Sequence, residues 1–309
     1  MEDPTSTPSF DAQLRGFLLE SSYSARGAVM TDLDGTVVHE DAGTILIPDS
    51  VTRALQQLYE LGRPLILNTL RFPLSVIRTF GREWYALAGA PIPLVTLNGS
   101  QVGLIRADAQ SHLHFDELAA FPLSAAELEE ILRGVEAAVA ARSADILLFY
   151  YPRDWRQGEI IWTPEPARLE AVRAKYLSAS AVTAVELGTL RRQLHAQDIC
   201  MVFLLIEAPG ESLMAYQHTH RSGFFTHEAV DKRSGACAIA ALLGIDLAHS
   251  IGAGDTEMDT FLKAVGLAVL VGNRELRLAG LRQTIRLNSA HELGELLFRV
   301  AALQRSLAA

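Results

Sequence analysis

Cysteine is scarce: only Cys200 and Cys237 occur in 309 residues, too few for a disulfide framework. Cys200 lies in the apolar run Ile199-Cys200-Met201-Val202-Phe203-Leu204-Leu205-Ile206 and Cys237 in the small-residue stretch after Lys232. Both are therefore expected as buried core thiols, with a reducing cytoplasm as the simplest setting. Long apolar runs are missing too. No stretch approaches transmembrane length, and the N-terminus, acidic and polar through Ser9, has no signal-peptide h-region. Positive charge is in deficit, and the net charge of -9 argues against nonspecific nucleic-acid binding or attraction to an acidic membrane surface. His218, His220 and His227 lack the cysteine or carboxylate repeat that zinc spacing needs. No internal repeat is visible.

What remains is an ordinary globular composition, 49% hydrophobic and 20% charged. The length exceeds a typical single core, so two domains are expected. Met30-Thr31-Asp32-Leu33-Asp34-Gly35-Thr36 sets two carboxylates two residues apart after the apolar run Ala28-Val29-Met30. In a strand, residues i and i+2 share a face, and a bend after Asp32 would aim both carboxylates at one pocket. Such a pair can act as a nucleophile with its own acid, provided a cation neutralises the phosphate it attacks; Mg²⁺ prefers such hard oxygen ligands. An isolated Asp-x-Asp-Gly also suits a solvated turn.

Three other segments favour the chemical reading. Leu65-Ile66-Leu67-Asn68-Thr69 is a second buried-strand pattern ending in a hydroxyl, with Arg71 two residues beyond. Lys232 precedes a helical stretch, Ser234 to Leu243, closed by Gly244. In Ile251-Gly252-Ala253-Gly254-Asp255-Thr256-Glu257-Met258-Asp259, two aspartates stand four apart at an expected helix start. A hydroxyl and a lysine for non-bridging phosphate oxygens, with extra carboxylates for a metal, are what phosphoryl transfer needs.

With these four motifs in this order, the chain resembles the haloacid dehalogenase-like (HAD) phosphohydrolases over roughly residues 26 to 300, and most of all their Cof-type, sugar-phosphate phosphatase branch with its type IIB cap. The resemblance implies an α/β fold, a Rossmann-like parallel-sheet HAD core with an inserted α+β cap domain. It implies that Asp32 forms the aspartyl-phosphate, that Asp34 is the general acid and then the base for water, and that Thr69 and Lys232 hold the phosphoryl group. Gly35, Thr36, Arg71 and Asn98, the last in an Asn98-Gly99 turn after the strand Pro93 to Leu97, would line the phosphate site. Mg²⁺ would be held by Asp32, the Asp34 carbonyl and Asp255, with Asp259 supporting the metal or Lys232. The implied partner is a small phosphorylated metabolite, with no nucleic-acid or membrane partner expected. Three positions depart from the branch: Leu70 and Arg233 stand where glycine is usual, and Met258 where asparagine is. A phosphomutase, or a weakened phosphometabolite-binding protein motivated by Leu70 and Met258, are the alternatives.

Periodicity sketches the rest. Residues 1–25 form an N-terminal extension, unordered through Ser9 and then helical from Phe10 to Leu19, packing Leu14, Phe17 and Leu18. Residues 26–102 and 226–309 are assigned to the core and 103–225 to the cap. Val51, Ala54, Leu55, Leu58 and Leu61 fall at helical spacing. Ser124-Ala125-Ala126-Glu127 is a capping box opening a helix to about Arg142. Strands are expected at Ile146 to Tyr151, Glu159 to Trp162 and Ile199 to Ile206, and helices at Pro166 to Leu177 and Thr189 to Ala196. Ser250-Ile251-Gly252, Leu267 to Leu270 and Thr284 to Leu287 resume the core sheet before a helix from His291. Tyr150, Tyr151, Arg153, Asp154, Trp155 and Arg156 read as a loop cluster that suits either sugar stacking or a solvated turn, and Arg191, Arg192 and His195 as either an anion site or a charged helix face.

Overall fold

The structure is a computed structural model that describes residues 10–41, 44–141, 146–206 and 223–308. His218, His220 and the first nine residues lie outside them. The chain divides into two compact units, Met1–Asn68 with Trp84–Pro93 and Ala236–Ala309, and Thr69–Glu83 with Leu94–Gly235.

The first unit is built on five strands in the spatial order Gln283–Leu287, Leu267–Val271, Ile251–Gly254, Val29–Thr31 and Leu65–Asn68. Every neighbouring pair is parallel, with Val29 level with both Leu65 and Ile251. The inner strands are apolar without alternation and are buried along their whole length. That is the pattern a parallel sheet imposes when both faces are covered. Helices Asp49–Glu60 and Ala290–Ala308 pack on each other, the former through Val51, Ala54, Leu55 and Leu58. The N-terminal helix Asp11–Glu20 buries Leu14, Phe17 and Leu18 and is pinned by Asp11, which accepts from the Arg299 guanidinium. Those bonds hold the Asp11 carboxyl at about 2, against the opposing effect of burial. A backbone hairpin, His39–Asp41 against Thr44–Leu46, follows the first motif.

Cys237 is a correction, since it is exposed while Cys200 is buried. In the helix Lys232–Leu243 the buried apolar side chains are Ala236, Ile239 and Ala240. That i, i+3, i+4 stripe turns position 237 toward solvent.

The second unit contains a hairpin, Gln101–Ala107 against Leu113–Ala120, and a five-stranded sheet. Its order is Ala181–Thr183, Ile160–Trp162, Leu147–Pro152, Ile199–Leu205 and Phe224–Phe225, antiparallel except for the first pair. Helices Ala125–Ala140 and Leu187–His195 share a core with this sheet that includes Leu132, Val135, Tyr150, Trp162, Leu190, Leu194 and Val202. The expected helix at 166–177 is shorter, a 3₁₀ turn Pro166–Arg168 running into Leu169–Lys175. Tyr150 and Tyr151 are buried strand residues rather than loop residues. Arg153 is engaged by Glu117 at 2.8 Å and Asp198 at 3.2 Å, so this cluster braces a turn. Arg191 pairs with Glu136 at 2.8 Å and the His195 ring is hydrogen-bonded to Glu129 at 2.6 Å, so this helix face is tied to the neighbouring helix. Among the described residues no helix is long and apolar enough to cross a membrane.

The capping box forms as expected: Ser124 accepts from the Glu127 N–H, and Glu127 accepts from the Ser124 N–H. Glu127 also takes bonds from His227 at 2.9 Å and from the Glu228 N–H at 2.7 Å. Burial alone would raise its carboxyl, but these donors outweigh burial and hold it at about 2. A group whose folded value is depressed stabilises fully above its unfolded value, and that contribution disappears as pH falls toward the folded one. Glu127→Gln should therefore flatten the acid limb of the unfolding curve between pH 4.5 and about 2. Thermal melts across that range check this, and parallel curves for variant and wild type would contradict it.

Candidate active site

Asp32 directly follows the strand Val29–Thr31, and its N–H extends the parallel ladder to the Ala253 carbonyl at 2.9 Å. The chain then turns tightly: the Leu33 carbonyl accepts from Val37 and Val38, and the Gly35 N–H returns to the Val38 carbonyl. Gly35 adopts a φ of 78°, a left-handed conformation that glycine takes at little cost. Space demands glycine too, since a Cβ there would lie 2.2 Å from Asp255 Oδ2.

Asp255 follows the neighbouring strand Ile251–Gly254 and accepts from the Thr36 hydroxyl at 3.3 Å. The expected helix start after it is instead a turn, closed by Asp259, and only a 3₁₀ helix, Thr260–Lys263, follows. Asp259 Oδ2 accepts from the N–H groups of Asp255 and Thr256, each at 2.9 Å. A carboxylate reaching back to these amides satisfies them without a helix. Carboxylate oxygens of Asp32, Asp255 and Asp259 lie within 4.8 Å of one another. Asp32 and Asp259 are buried, and Asp255 partly so. Such a set of hard oxygens suits a small divalent cation, which would relieve their mutual repulsion. The Asp34 carboxylate is not a member of this triad.

The other candidate residues lie in the second unit. The Thr69 N–H donates to the Val95 carbonyl at 2.9 Å, and its hydroxyl accepts from the Arg71 N–H at 3.1 Å. The Arg71 guanidinium is buried and donates to Thr79 at 3.1 Å and Ser75 at 3.5 Å. These partners lie in Pro73–Val76 and in the π-helical turn Ile77–Gly81. The Arg71 carbonyl accepts from the Leu97 N–H at 3.3 Å and from the Thr96 hydroxyl. The expected strand Pro93 to Leu97 is Ile92–Thr96, and Leu97–Gly99 forms a 3₁₀ turn. Leu97 and Asn98 have φ values of 51° and 56°, strained for non-glycine residues and above all for leucine.

Lys232 is buried and opens its helix, two residues earlier than the sequence suggests. Asp231, which belongs to none of the four motifs, sets that start. Its carboxylate accepts from the N–H groups of Arg233 at 3.0 Å and Ser234 at 2.9 Å, while Ser234 Oγ accepts from the Asp231 N–H. The Asp-x-x-Ser spacing before a small-residue helix was the available signal. This helix start abuts the Asn98-Gly99 turn. A Cβ on Gly99 would meet the Asp231 carbonyl oxygen at 2.1 Å, and one on Gly235 would meet the Gly99 Cα at 2.8 Å.

Of the departures, neither Leu70 nor Arg233 has positive φ, so neither position needs the glycine usual there. Met258 is buried.

A family model for haloacid dehalogenase-like hydrolases matches residues 29–280. The chain belongs to the haloacid dehalogenase-like hydrolases. Solved structures agree in fold. A HAD-superfamily phosphatase of Bacteroides thetaiotaomicron, BT1666, is 13% identical with a TM-score of 0.60, over 98% of this chain and 99% of that one. The subclass IIB sugar phosphatase BT4131 is 15% identical with a TM-score of 0.59, over 91% of this chain and 99% of that one. A HAD/COF-like hydrolase from Plasmodium vivax is 14% identical with a TM-score of 0.64, over 95% of this chain and 99% of that one. No curated protein matches the sequence.

Gly35→Ala should displace the Asp255 carboxylate. The expected result is a lower Tm and a Mg²⁺ concentration at least tenfold higher for the same rise in Tm, a cation bound only by the folded state raising Tm by linkage. An unchanged Mg²⁺ response would refute this.

Proposed function

We propose that the protein is a Mg²⁺-dependent phosphatase of a small phosphorylated metabolite, a sugar phosphate being the best candidate. The observation that carries this reading is the triad of Asp32, Asp255 and Asp259 within 4.8 Å, built on the ends of two adjacent parallel strands, where open α/β sheets bind ligands. Asp32, the Asp34 carbonyl and Asp255 would hold the metal, with Asp259 behind them, and the ion when bound supplies positive charge against the phosphate anion.

Asp32 attacks phosphorus through a carboxylate oxygen. The ester P–O bond breaks, and the leaving alkoxide takes a proton from Asp34. Asp34, now ionised, removes a proton from water, whose oxygen attacks the phosphoryl group. The Asp32 O–P bond breaks and inorganic phosphate leaves. Thr69, Asn98 and Lys232 donate to the non-bridging oxygens as charge builds there, and Gly35 and Thr36 complete the turn beside the nucleophile. Arg71 would serve the phosphate site through its loop, given its hydroxyl partners. We assign residues 103–225 to the cap that selects substrate and the flanking segments to the catalytic core. A net charge of -9 opposes an anionic substrate at long range, so turnover should respond to ionic strength as well as to the metal.

Phosphate release from a panel of sugar phosphates and other phosphometabolites, with and without Mg²⁺, tests the reading. Turnover should require the metal and fall at least a thousandfold in Asp32→Asn, by roughly the scale of losing a covalent nucleophile. Turnover that appears only when a bisphosphorylated sugar primes the enzyme would instead mark a mutase. Met258→Asn should cost about 1–3 kcal/mol, as burying an amide without partners does, with no gain in phosphate release. A gain of orders of magnitude, with stability unchanged, would show that the methionine had weakened an ancestral enzyme.

A further inference from the structure

The loop that carries Thr69 holds no glycine between Thr69 and Phe72, and its far end rests on an aromatic side chain from a distant part of the sequence. Phe72 is buried, and its ring lies 5.8 Å from that of Tyr151, inclined at 39°. Tyr151 belongs to the strand Leu147–Pro152, and its hydroxyl donates to Glu159 Oε2 at 2.5 Å. The other oxygen of Glu159 accepts from Ser178 at 2.9 Å. Glu159 is fully buried, and burial pushes its carboxyl up despite these two donors.

A carboxyl group without access to water costs several kcal/mol if its bonds are lost, so the Tyr151–Glu159–Ser178 chain is stiff. The turn before Glu159 closes on the same place. Gly158 has a φ of 66°, and a Cβ there would meet Ser180 Oγ at 2.2 Å and the Phe72 ring at 3.5 Å. From Phe72 the hold passes back along the loop: its carbonyl accepts from Ser75 and starts the helix Pro73–Val76, whose Ser75 hydroxyl accepts from Arg71. The Arg71 N–H in turn fixes the Thr69 hydroxyl.

We propose that Tyr151, anchored by Glu159, is a positioning residue that holds the Thr69 hydroxyl in register through Phe72. The proposal rests on the reading of Thr69 as a phosphoryl-binding group, and it ties the strand pair around Tyr151 and Glu159 to phosphate binding. Neither side chain need touch substrate. Displacements of about 1 Å at a site can cost a hundredfold in rate, so a ring that fixes one end of a four-residue loop has leverage out of proportion to its distance.

The experiment is a double-mutant cycle between Tyr151→Leu and Thr69→Ala, read by kcat and by the inhibition constant of orthovanadate, a phosphoryl analogue. Hydrogen exchange of amides 69–76 is followed by mass spectrometry on the same proteins. Tyr151→Leu is expected to weaken vanadate at least tenfold in wild type and less than twofold in Thr69→Ala, and to raise exchange in 69–76 but not in Leu267–Val271. Tyr151→Phe, which keeps the ring, and Glu159→Gln, which keeps an acceptor for the Tyr151 hydroxyl, should lower Tm less than Tyr151→Leu and fall between. Additive losses, or unchanged exchange in 69–76 with a lowered Tm, would show a purely structural role and overturn the proposal. If wild type neither releases phosphate nor binds vanadate, the phosphatase reading falls and the positioning role with it; altered exchange would then report loop packing alone.

Discussion

Three carboxylates confined within 4.8 Å set the terms for the first unit. At that separation and an effective dielectric of about 20, each ionised pair repels by roughly 3 kcal/mol, more than a typical hydrogen bond returns. The fold offsets part of this with oriented donors: the Asp255 and Thr256 N–H groups on Asp259, and the Thr36 hydroxyl on Asp255. It also clears space for the oxygens, because a Cβ on Gly35 would strike Asp255 and one on Gly254 would come 2.6 Å from Asp259 Oδ2. Parallel pairing supplies the rest, since residues 31 and 253 are level and each strand ends into a loop that starts with or soon reaches a carboxylate. Glycine, donor and register are thus separate answers to one electrostatic problem.

The same logic shows which parts of the chain were legible as sequence. Buried parallel strands have uninterrupted apolar runs, so Leu65–Asn68 and Leu267–Val271 stood out, and the Ser124 capping box fixed a helix start to the residue. The hairpin Gln101–Ala107 and Leu113–Ala120 did not. Its first strand is buried at five consecutive positions and then exposed, and a bulge between Val102 and Gly103 breaks the register. Neither alternation nor a clean apolar run survives such an irregularity. The turn at Asp259 was misread as a helix start because a carboxylate near backbone amides marks both; which one forms depends on tertiary contacts that no local pattern encodes. The chemical identities of Asp32, Asp255 and Asp259 were readable, whereas their convergence needed the sheet.

In the second unit the corresponding constraint is backbone crowding. The Asn98-Gly99 turn and the start of the Lys232 helix approach so closely that glycine at 99 and 235 leaves no space between them. Two left-handed non-glycine residues, Leu97 and Asn98, precede that contact. Strain of this kind costs on the order of 1–3 kcal/mol per residue and persists only where surroundings over-determine it. Here those surroundings are the Leu97 N–H bond to the Arg71 carbonyl and the reciprocal Asp231–Ser234 cap. Arg71, Asn98 and Lys232 are therefore held by one another's backbones, whatever their side chains bind.

This bears on the three positions where the expected motifs are not matched. Leu70 and Met258 are apolar and buried, and Arg233 lies in the first turn of a helix whose N–H is already bonded to Asp231. None has positive φ, so no glycine-specific conformation has been lost. A larger side chain at a position that does not need glycine narrows the unfolded ensemble and adds packing in the folded state. Leu70 in particular lies between Thr69 and Arg71 in a loop already bonded at both residues. Leu70 thus exchanges backbone freedom for burial at a loop that carries candidate groups. A loop fixed this way has little reorganisation left to undergo, and preorganised donors are the arrangement that stabilises developing charge at least cost.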